Sequence, residues 1–286
     1  MNFFSVLIPV HNRREMLRRA LESVLRQTDK DFEVVVVDDG STDDSGNVAR
    51  KLIKPLGARG KVIRLRKNIG IPGARNKCVD AAAGRIAAFL DSDDVWHPRY
   101  LSVLRAAYDA VPDAMFSFTN YLSCGPQFSG PVRQFPPDHV DRDPIELMVS
   151  RPFIHTMSCF SAPLALIRDA GAFSENLQRF EDIDLYIRLL AGTSQNGKLA
   201  WKQLPFLVLP HFLVMKDIHL SGRSLSSLLM EWDISMQAFL DQVFTYPYLA
   251  KRTSLRAKCE ISLKEGKLDF FHNFSNQYEK LQGPNL

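Results

Sequence analysis

Three carboxylates lie within four residues, Asp91 to Asp94, directly after an apolar stretch of the chain. The stretch, residues 85–90, has the length and composition of a buried strand, so the carboxylates are expected where that strand ends. Carboxylates this close raise one another's pKa unless a positive charge lies between them. Hard oxygen ligands suit Mg²⁺ or Mn²⁺, so a divalent metal site is one interpretation. Short acidic motifs taken alone are more often solvated turns, and it is the motifs elsewhere in the chain that favour the metal.

A histidine motif follows the first predicted strand, which covers residues 4–9. Pro9, His11 and Asn12 lie where that strand ends. A histidine in this position can stack on a flat base while backbone groups read the edges of the base, although histidine is also common in ordinary turns. The motif therefore fits either a nucleotide base or a plain turn.

Acidic and basic residues follow the next two predicted strands. Asp38 and Asp39 can bind a ribose hydroxyl or the imino group of a base, or they can form a polar turn before the next helix. Asn68, Gly70 and Arg75 come after the third strand. Gly70 permits tight backbone geometry, and Arg75 can reach a phosphate or hold an acidic loop, although the segment can also simply start a helix.

The elements around these motifs predict an α/β fold. Strands and helices alternate over the first 119 residues, which predicts right-handed crossovers and a mostly parallel sheet flanked by helices. The predicted strands are 4–9, 32–37, 62–65, 85–90 and 114–119. The predicted helices are 14–27, 73–83 and 98–110. One more helix is predicted between the first two of these, with residues 41–44 as its N-terminal cap and Gly57 at its end. The carboxyl ends of parallel strands meet at one edge of a sheet, so the motifs should converge on a nucleotide and a metal. The chain lacks the Gly-x-Gly-x-x-Gly loop of dinucleotide folds and the Gly-x-x-x-x-Gly-Lys-Ser/Thr loop of triphosphate sites.

The second half of the chain has a less regular pattern. Residues 120–155 contain six prolines and are predicted to form a long irregular excursion. Periodicity then predicts, in chain order, strand 157–161, helices 164–169 and 181–191, and strands 200–203 and 206–215. From Ser224 onward the sequence predicts helices, which we expect to form an appendage rather than a separate globule.

Composition restricts the classes of protein to which the chain can belong. With 286 residues, 45% apolar residues and a net charge of +4, the chain lacks the strong basic excess of a nucleic-acid-binding protein. Its four cysteines have no metal-binding spacing and are expected to be reduced. The chain shows no basic leader and no run of about 18 apolar residues, so a cytoplasmic protein is expected, with access to the inner face of the membrane.

The order of the motifs resembles that of a family 2 glycosyltransferase with the GT-A fold. The resemblance covers residues 3–120 and rests on four stretches: Leu7 to Asn12, Val36 to Asp43, Asn68 to Asn76, and Leu90 to Asp94. It implies a Rossmann-like GT-A domain over residues 1–220, with a nucleotide-sugar-binding half in 1–119 and an acceptor-binding half in 120–220. Residues 221–286 would form a C-terminal helical extension.

The resemblance implies an inverting, metal-dependent transferase. A sugar would move from a nucleotide diphosphate-sugar, expected to be a UDP-sugar, to a hydroxyl of a glycan, a lipid-linked acceptor or a protein, as in the synthesis of cell-surface polysaccharides. Mn²⁺ or Mg²⁺ would be held mainly by Asp93, with Asp91 contacting the ribose or the metal through water. The residues that would contact the nucleotide-sugar are Pro9, His11, Asn12, Asp38, Asp39, Asn68, Gly70, Arg75, Asp91 and Ser92.

The family pattern also places a catalytic carboxylate at the start of a late helix. Glu181 and Asp182 match it, and the resemblance implies that Asp182 removes the acceptor proton, with Glu181 as the alternative base. Without the resemblance, two acidic residues there would simply complement the helix dipole. His219 resembles a histidine that binds the metal or touches the diphosphate in the family, and His211 is the alternative.

Two other functions compete with this interpretation. Sugar nucleotidyltransferases have a similar sheet but resemble one another in a glycine-rich, basic loop after the first strand, where this chain has residues 9–14 without glycine. A non-catalytic nucleotide-sugar-binding module is disfavoured by the pair Glu181 and Asp182. Four basic residues near the C-terminus can contact an anionic membrane or form a solvated helix face: Lys251, Arg252, Arg256 and Lys258.

Overall fold

A computed structural model of the protein describes residues 2–124, 129–135, 143–193 and 204–217. The predicted strand 200–203, the helices expected from Ser224 onward and His219 lie outside these residues. The domain boundary at residue 220 and the extension 221–286 therefore stay predictions.

The first half of the chain alternates strands and helices, as its periodicity predicts. The strands are β1 (Phe4–Val10), β2 (Phe32–Asp38), β3 (Gly60–Arg64), β4 (Ile86–Phe89) and β5 (Val95–Trp96), and the helices are α1 (Arg14–Leu25), α2 (Ser45–Ile53), α3 (Ile71–Ala81) and α4 (Tyr100–Ala110). Leu17, Leu21 and Val24 recur at helical spacing, and this buried stripe packs α1 onto the sheet.

The second half adds further strands and helices. They are β6 (Phe116–Cys124), β7 (Gly130–Val132), α5 (Pro144–Ser150), β8 (Phe160–Pro163), α6 (Leu164–Asp169), α7 (Glu181–Ala191) and β9 (Phe206–Asp217). The start of α5 is capped by Asp143, whose carboxylate accepts the backbone N–H groups of Ile145 and Glu146. Within the described ranges, no helix has both the length and the apolar character needed to cross a membrane.

The described strands form one sheet in the order β3-β2-β1-β4-β8-β6-β9-β5, with β7 paired to β6. The first four strands are parallel, and Phe4 on β1 pairs with Phe32 on β2 and with Ile86 on β4. β8 runs antiparallel to both β4 and β6, whereas β6 and β9 are parallel. Strands from residues 1–119 and from residues 120–220 thus share a single sheet.

Apolar side chains on the two faces of the sheet fill two cores. On β1, Leu7 belongs to the core that contains residues of α3 and α7, whereas Val6 and Ile8 belong to the core that contains residues of α1 and α4. β1 and β2 are buried along their whole length, as expected for parallel strands covered on both faces. The packing of the central strands therefore fixes the positions of the residues at their C-terminal ends.

The predicted irregular excursion, residues 120–155, is wrong for much of the part that the structure describes, although residues 133–135 and 151–155 are irregular. β6 continues to Cys124, β7 covers Gly130–Val132, and α5 begins at Pro144. Proline has no N–H donor, but it is tolerated in the first turn of a helix, where Pro144 lies, and on a short outer strand, where Pro131 lies. The number of prolines therefore overstated the irregularity of this region.

Several boundaries differ from prediction by a few residues, and at two of them the type of structure differs as well. α2 ends at Ile53 rather than at Gly57, because the chain continues as a 3₁₀ stretch over Lys54–Arg59 that has proline in its first turn. The predicted strand 157–161 starts as a 3₁₀ turn, and the strand itself begins at Phe160. The order of the elements is unchanged by either difference.

Candidate active site

The ends of three adjacent parallel strands bring the sequence motifs together. β1 lies between β2 and β4, so His11 after β1, Asp39 after β2 and Asp91 after β4 are neighbours at one edge of the sheet. Hydrogen bonds connect the loops: the Nδ1 atom of His11 lies 2.7 Å from the carbonyl oxygen of Asp39, and the N–H of Asn12 donates to the hydroxyl of Ser41 at 3.0 Å. The edge is thus a connected surface rather than a set of separate turns.

Asp39 holds the loop that follows β3. Its two carboxylate oxygens accept the backbone N–H groups of Ile69 at 2.8 Å and Gly70 at 3.0 Å. The side-chain oxygen of Asn68 also accepts the N–H of Gly70, at 2.8 Å. Gly70 has a φ of 87°, a left-handed value that favours glycine. The residues predicted from the second and third motifs therefore form one structural unit.

The other predicted contacts of this edge differ in exposure. Asp38 is fully buried, and its oxygens lie 2.9 Å from the N–H of Ser41 and 3.6 Å from the Nε atom of Arg64. Pro9 is buried within β1, whereas His11 and Asn12 are exposed. Asp38 and Pro9 therefore support the edge from inside the protein, and His11 and Asn12 face its open side.

Each carboxylate of the acidic turn, Asp91–Asp94, has a polar partner. The three pairs are Asp91 with Arg75 at 2.9 Å, Asp93 with Arg13 at 2.5 Å, and Asp94 with the hydroxyl of Ser158 at 2.6 Å. The side chains of Asp91 and Asp93 are 28% and 18% exposed, whereas Asp94 and Ser92 are buried. The open side of the turn therefore presents Asp91 and Asp93.

Burial and mutual repulsion raise the pKa values of two carboxylates in the acidic turn. Burial and the neighbouring Asp91 raise the pKa of Asp93 above its ordinary value, although nearby basic side chains lower it. Burial, together with the charges of Asp91 and Asp93, raises the pKa of Asp94 to about 7. Lys216 on β9 adds positive charge near these carboxylates. A further cation would relieve the remaining repulsion.

Arg75 connects the acidic turn to the start of α7. Its Nη2 atom donates to Asp91 at 2.9 Å, and its Nη1 atom donates to Glu181 at 2.5 Å. The side chains of Arg75 and Glu181 are only 6% and 8% exposed, and the guanidinium lies 5.5 Å from the ring centre of Phe173. Burial lowers the pKa of Arg75, but the charges of Asp91 and Glu181 outweigh this effect and raise the pKa above its usual value. One planar group thus holds two carboxylates from different elements.

Glu181 and Asp182 are the first two residues of α7, where the helix dipole favours negative charge. Burial raises the pKa of Glu181 to about 7 in spite of Arg75. Burial also raises the pKa of Asp182, against the opposing charge of Arg75, and its Oδ1 atom accepts the N–H of Ile183 at 2.8 Å. Asp182 is partly exposed as a residue, and its carboxylate, unlike that of Glu181, does not accept a hydrogen bond from Arg75.

The acidic turn fits a divalent metal ion whose remaining ligands come from a bound phosphate and from water. Asp91 and Asp93 supply hard oxygen atoms on the open side of the turn. Among the described residues, no group of three His, Cys, Asp or Glu side chains is arranged to hold a metal ion alone. Mg²⁺ usually completes its coordination with water and substrate phosphates, so two carboxylates are a sufficient protein contribution.

The predicted histidine ligands are not part of the described site. Val95 on β5 pairs with Met215 on β9, which brings that part of β9 next to the acidic turn. His211 comes four residues before Met215, and four residues of strand span about 13 Å. His211 therefore lies farther along β9 than the residues that pair beside the turn, and its role as the alternative metal ligand stays a prediction. His219 lies outside the described residues.

Sequence patterns missed three side chains that act on the acidic turn: Arg13, Ser158 and Lys216. Arg13 directly follows the histidine motif, and its position next to that motif was a usable signal. Ser158 lies in a segment predicted as a strand, and Lys216 lies at the end of β9. Neither Ser158 nor Lys216 belongs to a sequence motif. Both side chains reach the acidic turn only because of the order of the strands in the sheet.

Comparisons with known sequences identify similar proteins. The sequence model described as "Glycosyl transferase family 2" matches residues 5–168. An uncharacterized glycosyltransferase of Rickettsia felis is 32% identical over 206 residues, which cover 68% of this chain and 31% of that protein. WfaP of Escherichia coli, described as a "UDP-Glc:alpha-D-GlcNAc-diphosphoundecaprenol beta-1,3-glucosyltransferase", is 33% identical over 123 residues, which cover 42% of this chain and 47% of WfaP. The chain thus spans less than half the length of these two relatives.

Solved structures share the architecture. Residues 1–349 of TarS from S. aureus, in complex with UDP, match with a TM-score of 0.65 and 20% identity, over 92% of this chain and 71% of that chain. The mannosyltransferase PcManGT from Pyrobaculum calidifontis, in complex with GDP-Man and Mn²⁺, matches with a TM-score of 0.65 and 14% identity, over 100% of this chain and 76% of that chain. At these identities the likeness concerns the fold alone, and it confirms the predicted fold class.

Proposed function

Because the chain belongs to glycosyl transferase family 2, we propose that it moves a sugar, with inversion, from a nucleotide diphosphate-sugar to an acceptor hydroxyl. The observation that carries the proposal is the bridge made by Arg75, which holds Asp91 at 2.9 Å and Glu181 at 2.5 Å. The donor-side carboxylates of the acidic turn and the carboxylates at the start of α7 are therefore within reach of one side chain. A single displacement needs both sets close together.

Asp182 is the general base in this proposal. Glu181 is paired with Arg75 at 2.5 Å, whereas the carboxylate of Asp182 accepts the backbone N–H of Ile183 and lies within the electrostatic influence of both Arg75 and Asp91. Asp182 would accept the proton of the acceptor hydroxyl while the hydroxyl oxygen attacks the anomeric carbon. The nucleoside diphosphate would leave from the opposite side, which inverts the configuration at that carbon.

The proposed donor carries a uridine or thymidine base. His11 is exposed at the sheet edge and is anchored through its Nδ1 atom to the backbone of Asp39, so its ring can stack on a base. Each carboxylate oxygen of Asp39 has a second lone pair that can accept from a pyrimidine imino group. TarS was solved with UDP, and WfaP is named for UDP-Glc. PcManGT was solved with GDP-Man, so the fold alone does not choose the base.

Asp93 and Asp91 would hold Mn²⁺ or Mg²⁺ together with the diphosphate of the donor. When bound, such a metal offsets the negative charge that develops on the leaving diphosphate. Burial and the neighbouring Asp91 raise the pKa of Asp93, so a bound cation would stabilise the charged form of this carboxylate. Arg13 and Lys216 would add positive charge beside the same phosphates.

A panel of nucleotide-sugars tests the proposed function. A ligand that binds the folded state raises the apparent Tm, so UDP-sugars with Mn²⁺ should stabilise the protein more than the GDP-linked sugars do. Direct competition between UDP and GDP then measures the base preference. Tighter binding of GDP would contradict the assignment of the base, and the absence of stabilisation by every nucleotide-sugar with Mn²⁺ or Mg²⁺ would reject the donor class.

Replacing Asp93 by Asn should weaken the binding of UDP in the presence of Mn²⁺. An amide is a poorer ligand for a hard cation, and the loss should at least match the roughly 10–100-fold typical of residues that support metal ligands. Calorimetry with and without Mn²⁺ measures the effect. Asp80→Asn is the matched control, because the Asp80 side chain is 70% exposed on α3. Undiminished affinity in Asp93→Asn would show that the metal is held elsewhere or is not needed.

The second half of the chain is the proposed acceptor-binding region. Residues 120–220 would form the acceptor half and residues 221–286 a helical extension of the domain. The acceptor would be a hydroxyl of a glycan, a lipid-linked saccharide or a protein in cell-surface polysaccharide synthesis. The name of WfaP includes a diphosphoundecaprenol acceptor. A lipid-linked acceptor of that kind would place the reaction at a membrane surface, where Lys251 and Arg252 could contact anionic lipids.

A further inference from the structure

The hydroxyl of Ser158 makes two hydrogen bonds to the acidic turn. It accepts the backbone N–H of Asp91 at 3.0 Å and donates to the Oδ2 atom of Asp94 at 2.6 Å. Ser158 has no exposed surface, so both bonds are shielded from water and are stronger than they would be in solvent. One buried hydroxyl thus contacts both ends of the turn.

The backbone of Ser158 is itself held in place. Its N–H donates to the hydroxyl of Thr156 at 3.3 Å, and its carbonyl oxygen accepts the indole N–H of Trp96 at 2.8 Å. Trp96 is buried and stacks on Tyr100, with ring centres 4.1 Å apart. The Ser158 hydroxyl therefore has a fixed position relative to the core, and the turn is attached to it.

The turn needs support because its own charges oppose its conformation. Inside the turn, the N–H of Asp94 donates to the carbonyl oxygen of Asp91 at 3.1 Å. The carboxylates repel one another, which favours a more open arrangement. Ser158 opposes that opening, because it binds the backbone at one end of the turn and a side chain at the other. Asp93, between these two points, keeps its carboxylate on the open side.

We propose that Ser158 is a positioning residue for the carboxylates that bind the metal and the diphosphate of the donor. The proposal rests on the function proposed above and adds a residue that lies outside the sequence motifs. Without the hydroxyl, the N–H of Asp91 and the carboxylate of Asp94 would lose a buried partner, and the turn would relax. Such a relaxation would move the carboxylates of Asp91 and Asp93 away from the arrangement that holds the metal together with the diphosphate, so the expected effect is on metal affinity.

Ser158→Ala and Ser161→Ala form a matched pair for the test. Both serines are fully buried, but the hydroxyl of Ser161 lies 2.7 Å from that of Ser117 and 3.1 Å from that of Tyr108 rather than at the acidic turn. Ser158→Ala should weaken the apparent affinity for Mn²⁺, measured by calorimetry in the presence of UDP, by about 10–100-fold. Ser161→Ala should lower the Tm to a similar extent and leave the affinity for Mn²⁺ near that of the wild type.

A kinetic measurement adds a readout that a purely structural role would not move. In Ser158→Ala, the KM for the nucleotide-sugar should rise at limiting Mn²⁺, and saturating Mn²⁺ should restore it, whereas kcat at saturation should change much less. Affinity for Mn²⁺ that is unchanged in Ser158→Ala, or equally reduced in both variants, would overturn the proposal. If the wild type itself binds no UDP with any divalent metal, the proposed function fails first and this inference falls with it.

A second variant protects the test against a folding defect. If Ser158→Ala does not fold, Ser158→Cys takes its place, because a thiol nearly preserves the volume but is a weak hydrogen-bond donor and acceptor. The cysteine variant should show a loss of Mn²⁺ affinity in the presence of UDP that is smaller than that expected for alanine. Wild-type affinity in a folded Ser158→Cys protein would also overturn the proposal.

Discussion

Replacing Asp182 by Asn should lower kcat for sugar transfer by about 10²–10⁴-fold, the range typical of a lost general base. Donor binding should persist, because Asp182 lies at the start of α7 while the nucleotide motifs follow β1, β2 and β4. Asparagine has nearly the same size as aspartate but cannot accept the proton. Steady-state transfer assays combined with calorimetry for UDP measure the two effects, and a fall in kcat with unchanged donor affinity is the signature of a base.

Glu181 provides the control one residue away. Glu181→Gln makes the same chemical change, but it removes the carboxylate that is paired with Arg75 at 2.5 Å. A smaller loss of kcat is therefore expected in Glu181→Gln, accompanied by a change in stability. An inactive Glu181→Gln protein with near-normal turnover in Asp182→Asn would reverse the assigned roles, and full activity in both would place the base elsewhere.

The pH profile gives a second check on the same substitution. Burial raises the pKa of Asp182 above its ordinary value, because the charged form loses solvation, and this effect exceeds the opposing influence of Arg75. A base acts in its deprotonated form. The kcat of the wild type should therefore fall as the pH falls through this raised pKa and reach a plateau above it, and the residual rate of Asp182→Asn should lack that acidic limb.

The convergence of the motifs could be predicted because parallel topology leaves few alternatives. A strand buried on both faces is a continuous apolar run, and the first polar residues mark its end. β1, β2 and β4 were predicted to within one residue at each end. Right-handed crossovers then place consecutive strand ends on the same edge. The sequence therefore predicts that His11, Asp39 and Asp91 lie close together.

The partners of the acidic turn could not be predicted in this way. Ser158 is 64 residues from Asp94 in the sequence, and Arg13 is 80 residues from Asp93. Ser158 reaches the turn because the next strand, β8, runs antiparallel beside β4, and no local period in the sequence encodes that pairing. The pair of Arg75 and Glu181 spans 106 residues and depends on the placement of a whole helix. Long-range order of this kind follows from packing rather than from a motif.

Replacing Arg75 by Met should cause the largest loss of stability among the site variants. The side chains of Arg75 and Glu181 are 6% and 8% exposed, and removal of one partner of a buried ion pair leaves an uncompensated charge at a cost of about 3–5 kcal/mol. Methionine keeps much of the apolar length of arginine, so the loss reports the charge rather than a cavity. Urea unfolding measures it as a lower midpoint with an unchanged m-value. Transfer should be lost as well, because Asp91 would no longer be held next to α7.

A double variant and a conservative variant separate charge from geometry. Arg75→Met combined with Glu181→Gln should recover much of the lost stability, because the unpaired buried carboxylate is gone, and transfer should stay low because Asp91 still lacks its cation. Arg75→Lys keeps the charge but replaces the planar fork with a point charge, so it should be more stable than Arg75→Met and still impaired in transfer. Strictly additive stability losses in the double variant would show that the pair is not coupled. Wild-type turnover in Arg75→Lys would show that transfer requires a positive charge between the acidic turn and α7 but not the two simultaneous hydrogen bonds of the guanidinium. The side chain at position 75 would then act by electrostatics alone.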